Sequence, residues 1–153
     1  MRENIDFLTE WAIWAHLDSK TDLELILLKG HLLLEIILNV TLKRNNIEDY
    51  NNYSFHTKII ALDKIDFEDN VRKDFIISSL KSINKLRNRL AHQIHFDIKS
   101  EDLDLWAINI LENLKGTKYS KYTVRTKIVH SFSILSNNIL DLRNSVNNRS
   151  PQC

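Results

Sequence analysis

The sequence predicts an all-α protein, a single bundle of five or six helices. Three observations carry that reading. Only two glycines (Gly30, Gly116) and one proline (Pro151) occur in 153 residues, too few for the tight turns an all-β fold needs. Apolar residues recur at helical spacing along most of the chain. The "TDLE" stretch places Thr21 three residues ahead of Glu24, the arrangement of a capping box.

The elements follow in order. A first helix spans roughly Glu3 to Leu17, with Phe7, Leu8, Trp11, Ile13, Trp14 and Leu17 apolar. The second runs from the Thr21 cap to about Lys43 and is apolar nearly all round, as expected of a helix at the centre of a bundle. The polar "KRNNIEDYNN" then leads to a short helix near Phe55 to Leu62. A fourth starts near Phe67 or Glu68 and continues to about Ala91. In "FDIKSEDLDLWAINILENL", a loop is followed by an N-cap at Ser100 and a helix to Leu114. After the break at "KGTKY", a last helix occupies roughly Tyr122 to Leu142. Residues 1–145 read as one domain without repeats or linkers, and residues 146–153 as a disordered tail.

Composition narrows the function. The chain is 43% hydrophobic and 27% charged, with a net charge of +1. That balance argues against a strongly electrostatic DNA or membrane-surface binder and leaves room for a local basic patch. The longest apolar run, "LELILLKGHLLLEIILNVTL", is interrupted by Glu24, Lys29, His31, Glu35 and Asn39, more polar groups than a bilayer span should carry. "MRENIDFLTEW" lacks the pattern of a signal peptide. The single cysteine, Cys153, gives neither a disulfide framework nor a zinc site. No P-loop, glycine-rich nucleotide turn or clustered Asp/His metal set is present. The expectation is a cytoplasmic protein without a cofactor.

The chemistry concentrates in "INKLRNRLAHQIHFD", Ile83 to Asp97. On a helical wheel, Ile76, Leu80, Ile83, Leu86, Leu90 and Ala91 share a broad face that must be buried. Lys81, Lys85 and Arg89 lie opposite, spaced as solvated cations. Arg87 falls in the middle of the apolar face, where a guanidinium needs a partner or a wet cleft. The partner could be Glu35 or Asp97; the alternative is a functional site. His92 lies about 140° around the helix from Arg87, so the two converge only if the helix distorts or a second surface covers both.

"LRNRLAH" resembles the signature of the HEPN superfamily (higher eukaryotes and prokaryotes nucleotide-binding). Its members are helical bundles carrying an arginine, a polar residue directly after it, and a histidine four to six positions on. Arg87, Asn88 and His92 match with four residues between. The competing register, Arg89 to His95, places Leu90 in the polar slot. A long early helix, a short helix and a motif at the end of a later helix also resemble the layout of small bacterial HEPN proteins.

The resemblance implies a metal-independent endoribonuclease, a toxin or defence effector. His92 would then be general base or acid, Arg87 the phosphate stabiliser and Asn88 an orienting donor, with 2′,3′-cyclic phosphate products. It implies a homodimer, in which two motifs share one cleft so that a single histidine need not be both acid and base. It also implies a protein antitoxin or regulator as partner, although no tyrosine stands between Arg87 and His92 for such a partner to modify.

His31, Glu35 and Asn39 form an i, i+4, i+8 stripe that lines the cleft, pairs with Arg87 or faces solvent. His95 and Asp97 follow the motif closely and could assist, or simply occupy a loop. Lys81, Lys85 and Arg89 would guide RNA phosphates, and Tyr119 and Tyr122 either stack on bases or serve core packing and surface. The competing expectations are a non-catalytic interaction module, similar to mannitol-repressor-like proteins, and nucleotide binding without cleavage.

Overall fold

A computed structural model describes residues 9–13, 23–92, 100–119 and 122–145. The protein is all-helical. Residues 9–13 are helical and are called α1. The other helices are α2 (Leu23–Arg44), α3 (Phe55–Asp63), α4 (Asn70–His92), α5 (Ser100–Asn113) and α6 (Val124–Leu140), with a 3-10 turn at Asp49–Asn52. The expected first helix is described only over 9–13. The Thr21 cap, His95, Asp97 and the 146–153 tail lie outside the described residues.

Local chemistry sets the boundaries. At the end of α2, Asn46 adopts a left-handed conformation (φ 64°), which asparagine tolerates better than most residues. The Ile47 N–H donates to Leu42 O at 3.0 Å and the Asn46 N–H to Lys43 O at 3.1 Å, a Schellman stop. Ser54 caps α3 by accepting from the Thr57 N–H at 3.2 Å. The fourth helix begins at Asn70 rather than at Phe67 or Glu68, because Asp69 Oδ1 accepts from the Arg72 N–H at 3.0 Å. Phe67 is drawn instead into the core and into an isolated bridge with Asn144. The last helix starts at Val124, not Tyr122, because Thr123 and Thr126 form a reciprocal capping box.

The central helix is α6, not α2. It is buried on almost every side from Ile128 to Leu140 and packs against both α2 and α5. Three of its buried polar residues, Ser131, Ser133 and Asn138, bond to backbone carbonyls, whereas Ser136 Oγ has no hydrogen-bond partner among the described residues. Ser131 Oγ donates to Lys127 O (2.8 Å) and Ala107 O (3.2 Å), and Asn138 Nδ2 donates to Lys115 O and Ile134 O, both at 2.8 Å.

By length and composition α2 could cross a membrane, and half of its most apolar stretch is buried within the bundle. Its inner face carries Ile26, Leu27, Leu34 and Leu38 in the core. Its outer face leaves Leu25, Leu28, Leu32, Ile36 and Val40 between 37% and 55% exposed, so the expected all-round burial is absent. Helix α4 buries Ile76, Ile77, Leu80 and Ile83 against α2, α3 and α5. Leu86 and Leu90 sit at the edge of the core, whereas Ala91, expected on the buried face, is exposed. Trp106 Nε1 donates to Ser79 O at 3.0 Å and ties α5 to α4.

Candidate functional site

The site is built where α3 and α4 pack side by side. At about 100° per residue, Lys81, Lys85, Asn88, Arg89 and His92 fall within roughly 100° of one another on α4, and Asn84 lies at the edge of that arc. All of them except Asn84 are exposed. With His56 of α3, these six residues line an open cleft of about 480 Å³. Among the described residues of this lining, three side chains are permanent cations, two are imidazoles, and none is a carboxylate. Such a lining favours a polyanion.

Asn84 joins the cleft to the layer beneath it. Its Oδ1 lies 3.0 Å from His31 Nε2, which sits on α2 and is 5% exposed. The His31 ring also stacks on Phe55, with centroids 4.0 Å apart. Burial is the main force pushing the His31 pKa below its ordinary value of 6.5, the bond to Asn84 opposes it, the Arg87 charge adds to it, and Glu35 opposes it. His31 is therefore a buried brace for Asn84 rather than a wall of the cleft.

Glu35, one of the two candidate partners of Arg87, binds Lys58 of α3, with Nζ to Oε1 at 2.8 Å. Lys58 is only 3% exposed, so the carboxylate compensates a buried ammonium that the sequence did not single out. Asn39, the third member of that stripe, is half-buried, and its Oδ1 has no hydrogen-bond partner among the described residues. The stripe therefore faces neither solvent nor Arg87 as a unit.

Arg87 is half-buried, on the side of α4 away from the cleft lining. Among the described residues its guanidinium makes one hydrogen bond, from Nη1 to Asn88 Oδ1 at 3.5 Å, the long limit of such a contact. Asn88 and His92 are thus together on the cleft with Lys81, Lys85 and Arg89. Arg87 reaches them only through Asn88, because α4 stays helical through His92. Arg89 also borders a second, smaller depression with Asp102, Trp106 and Asn109.

Tyr119 and Tyr122 do not line the cleft. Tyr122 Oη is 2.8 Å from His130 Nδ1, and it accepts from the Tyr119 N–H at 2.8 Å. His130 is buried, with Nε2 3.8 Å from Glu10 Oε1. Base stacking by these tyrosines has no support from that arrangement, which packs them on a core histidine.

Sequence reasoning passed over His56 and Asn84. Asn84, Asn88 and His92 repeat at i, i+4, i+8, a spacing that could have flagged the face. His56 carried no such signal. Among the described residues, no group of three or more His, Cys, Asp or Glu stands where it could hold a metal ion. In comparisons with known proteins, the chain matches no family model, no curated protein and no solved structure.

Proposed function

We propose that this chain is an endoribonuclease of the HEPN type that cleaves RNA by attack of the ribose 2′-hydroxyl, acting as a toxin or defence effector. The observation that supports this reading best is the cleft, which sets His92 and Asn88 among Lys81, Lys85 and Arg89 with no carboxylate among the described residues of the lining. RNA supplies the polyanion, and histidine is the side chain best suited to move a proton near neutral pH. His92 takes the proton of the 2′-hydroxyl, which attacks the adjacent phosphorus. The Asn88 amide donates to a phosphoryl oxygen, and the three cations hold flanking phosphates. Arg87 acts from behind: its bond to Asn88 Oδ1 turns the amide N–H₂ group toward the substrate, and its charge adds to the field there. Neither step draws on a metal ion.

The test uses purified wild type, Arg87→Ala and His92→Ala with total RNA in EDTA. Cleavage by wild type that is lost in His92→Ala and at least tenfold slower in Arg87→Ala is expected. An inert wild type, or variants as active as wild type, ends the ribonuclease reading.

A different observation favours a second reading. The exposed apolar face of α2, Leu25 to Val40, extends about 22 Å along the helix and suits a non-catalytic interaction module that docks a second copy of the chain. A homodimer also fits the enzyme, with a protein antitoxin as a further partner. In a dimer that lacks RNA cleavage, Leu32→Glu with Ile36→Glu would dissociate the assembly and abolish whatever regulation it performs.

A further inference from the structure

Cleavage by 2′-hydroxyl attack needs two proton transfers. One group removes the 2′-proton, and another gives a proton to the departing 5′-oxygen as the P–O5′ bond breaks. His92 can serve one of these, and His56 faces it across the same cleft. Three contacts fix the level of His56 along α4. The Phe55 ring stacks on His31 at 4.0 Å, His31 bonds Asn84 at 3.0 Å, and α3 and α4 pack together. His56, the next residue after Phe55, therefore stands near the level of Asn84. His92 lies eight residues further along the helix, about 12 Å of rise. Two imidazoles reaching toward each other over that distance leave room for one phosphodiester between them. Lys81, Lys85 and Arg89 lie on the wall that such a phosphate would touch, and His56 is exposed, with no structural duty in the core.

We propose that His56 is the general acid of this reaction, paired with His92 as the base within a single protomer. This inference rests on the ribonuclease reading of the cleft. The balance is complete without a co-reactant. His92 accepts the 2′-proton, the 2′-oxygen bonds to phosphorus, and the P–O5′ bond breaks. The electron pair stays on the 5′-oxygen, which takes its proton from His56, leaving a 2′,3′-cyclic phosphate and a 5′-hydroxyl. A second subunit need not supply the acid.

The test compares wild type, His56→Ala and His92→Ala on ordinary RNA and on RNA whose 5′-bridging oxygen is replaced by sulfur. A thiolate leaves without being protonated, so loss of a general acid matters little on the sulfur substrate. His56→Ala should cleave ordinary RNA on the order of 10²–10⁴ times more slowly yet come within about tenfold of wild type on the sulfur substrate. His92→Ala should stay slow on both. If wild type cleaves and His56→Ala matches it on ordinary RNA, or stays equally impaired on the sulfur substrate, the assignment of His56 is overturned while the ribonuclease reading stands. If wild type cleaves neither substrate, the ribonuclease reading falls and takes this one with it. A thermal melt of His56→Ala at the wild-type midpoint excludes misfolding as the cause of a loss.

Discussion

Replacing Gly30 with alanine tests the contact that seats α2 on the central helix. An added Cβ at this position would lie 2.6 Å from Cε1 and Cζ of Phe132 and 2.8 Å from Cδ1. Carbon atoms pack comfortably at about 3.5–4.0 Å, so the ring or the helix must move by about 1 Å. The ring has little freedom: Phe132 is 1% exposed and packs against Trp106 with centroids 4.7 Å apart. Overpacking of this kind costs about 1–3 kcal/mol. Alanine in a helix returns up to about 1 kcal/mol relative to glycine. Three ring carbons within 2.8 Å put the overpacking cost in the upper part of its range, about 2–3 kcal/mol. The net expectation is therefore a loss of about 1–2 kcal/mol, or about 2–8 °C in Tm for a domain of this size, read in a urea or thermal melt. Phe132→Leu in the Gly30→Ala background makes room for the methyl and should cost less than the sum of the two single changes. A Gly30→Ala variant as stable as wild type or more so would refute the packing argument. It would also weaken the placement of His31, the next residue on α2, beneath Asn84.

Other expectations follow from the same contacts. Glu35→Gln strands the buried Lys58 ammonium; because Glu35 is 34% exposed and water can partly replace it, the loss should be about 2–3 kcal/mol, below the range for fully buried pairs. Combining it with Lys58→Met should recover most of that loss, and an unchanged urea midpoint in Glu35→Gln would contradict the pairing. His31 has a folded-state pKa below its ordinary 6.5, so on acidification the unfolded chain takes the proton first. Its contribution to stability is complete above about pH 6.5 and declines as pH falls toward the folded value. His31→Phe should flatten that decline between pH 7 and pH 5, and an identical pH profile in wild type and variant would contradict it. Lys85→Ala and Arg89→Ala should each weaken RNA binding and reduce the slope of log K against log salt by about 0.7; unchanged slopes would remove the cleft as the RNA site.

Much of the fold was legible because helix periodicity and scarce glycine are local signals. The caps at Ser54 and Thr123 were not singled out in the sequence, although the rules they obey act within a single turn. What escaped depends on neighbours. The polar residues of α6 look like a solvent face, yet Ser131 and Asn138 bond to carbonyls of the α5 region and of their own helix, so the most buried helix reads as the more ordinary one. Conversely, α2 reads as central from its composition, and its outer face is exposed. Its apolar surplus is a statement about what could cover it, which one chain's pattern does not locate.

The site divides in the same way. The wheel correctly separated Arg87 from Lys81, Lys85 and Arg89, since that depends only on helix geometry. It also left His92 about 140° from Arg87, and α4 remains α-helical through His92. Glu35 stayed a candidate partner of Arg87, beside Asp97, because nothing in the sequence reveals that Lys58, in a nine-residue helix, turns inward. His56 was invisible for a related reason. Its place on the cleft follows from how α3 lies against α4, not from any spacing within "SFHTK".

The measurement that bears most directly on the cleft's chemistry is the identity of RNA ends produced in EDTA by wild type and by His92→Ala, read by mass spectrometry. Wild type should leave 2′,3′-cyclic phosphates and 5′-hydroxyls, and His92→Ala should leave intact RNA. Absence of cleavage by wild type, 3′-hydroxyl ends, or the same products from His92→Ala would contradict it.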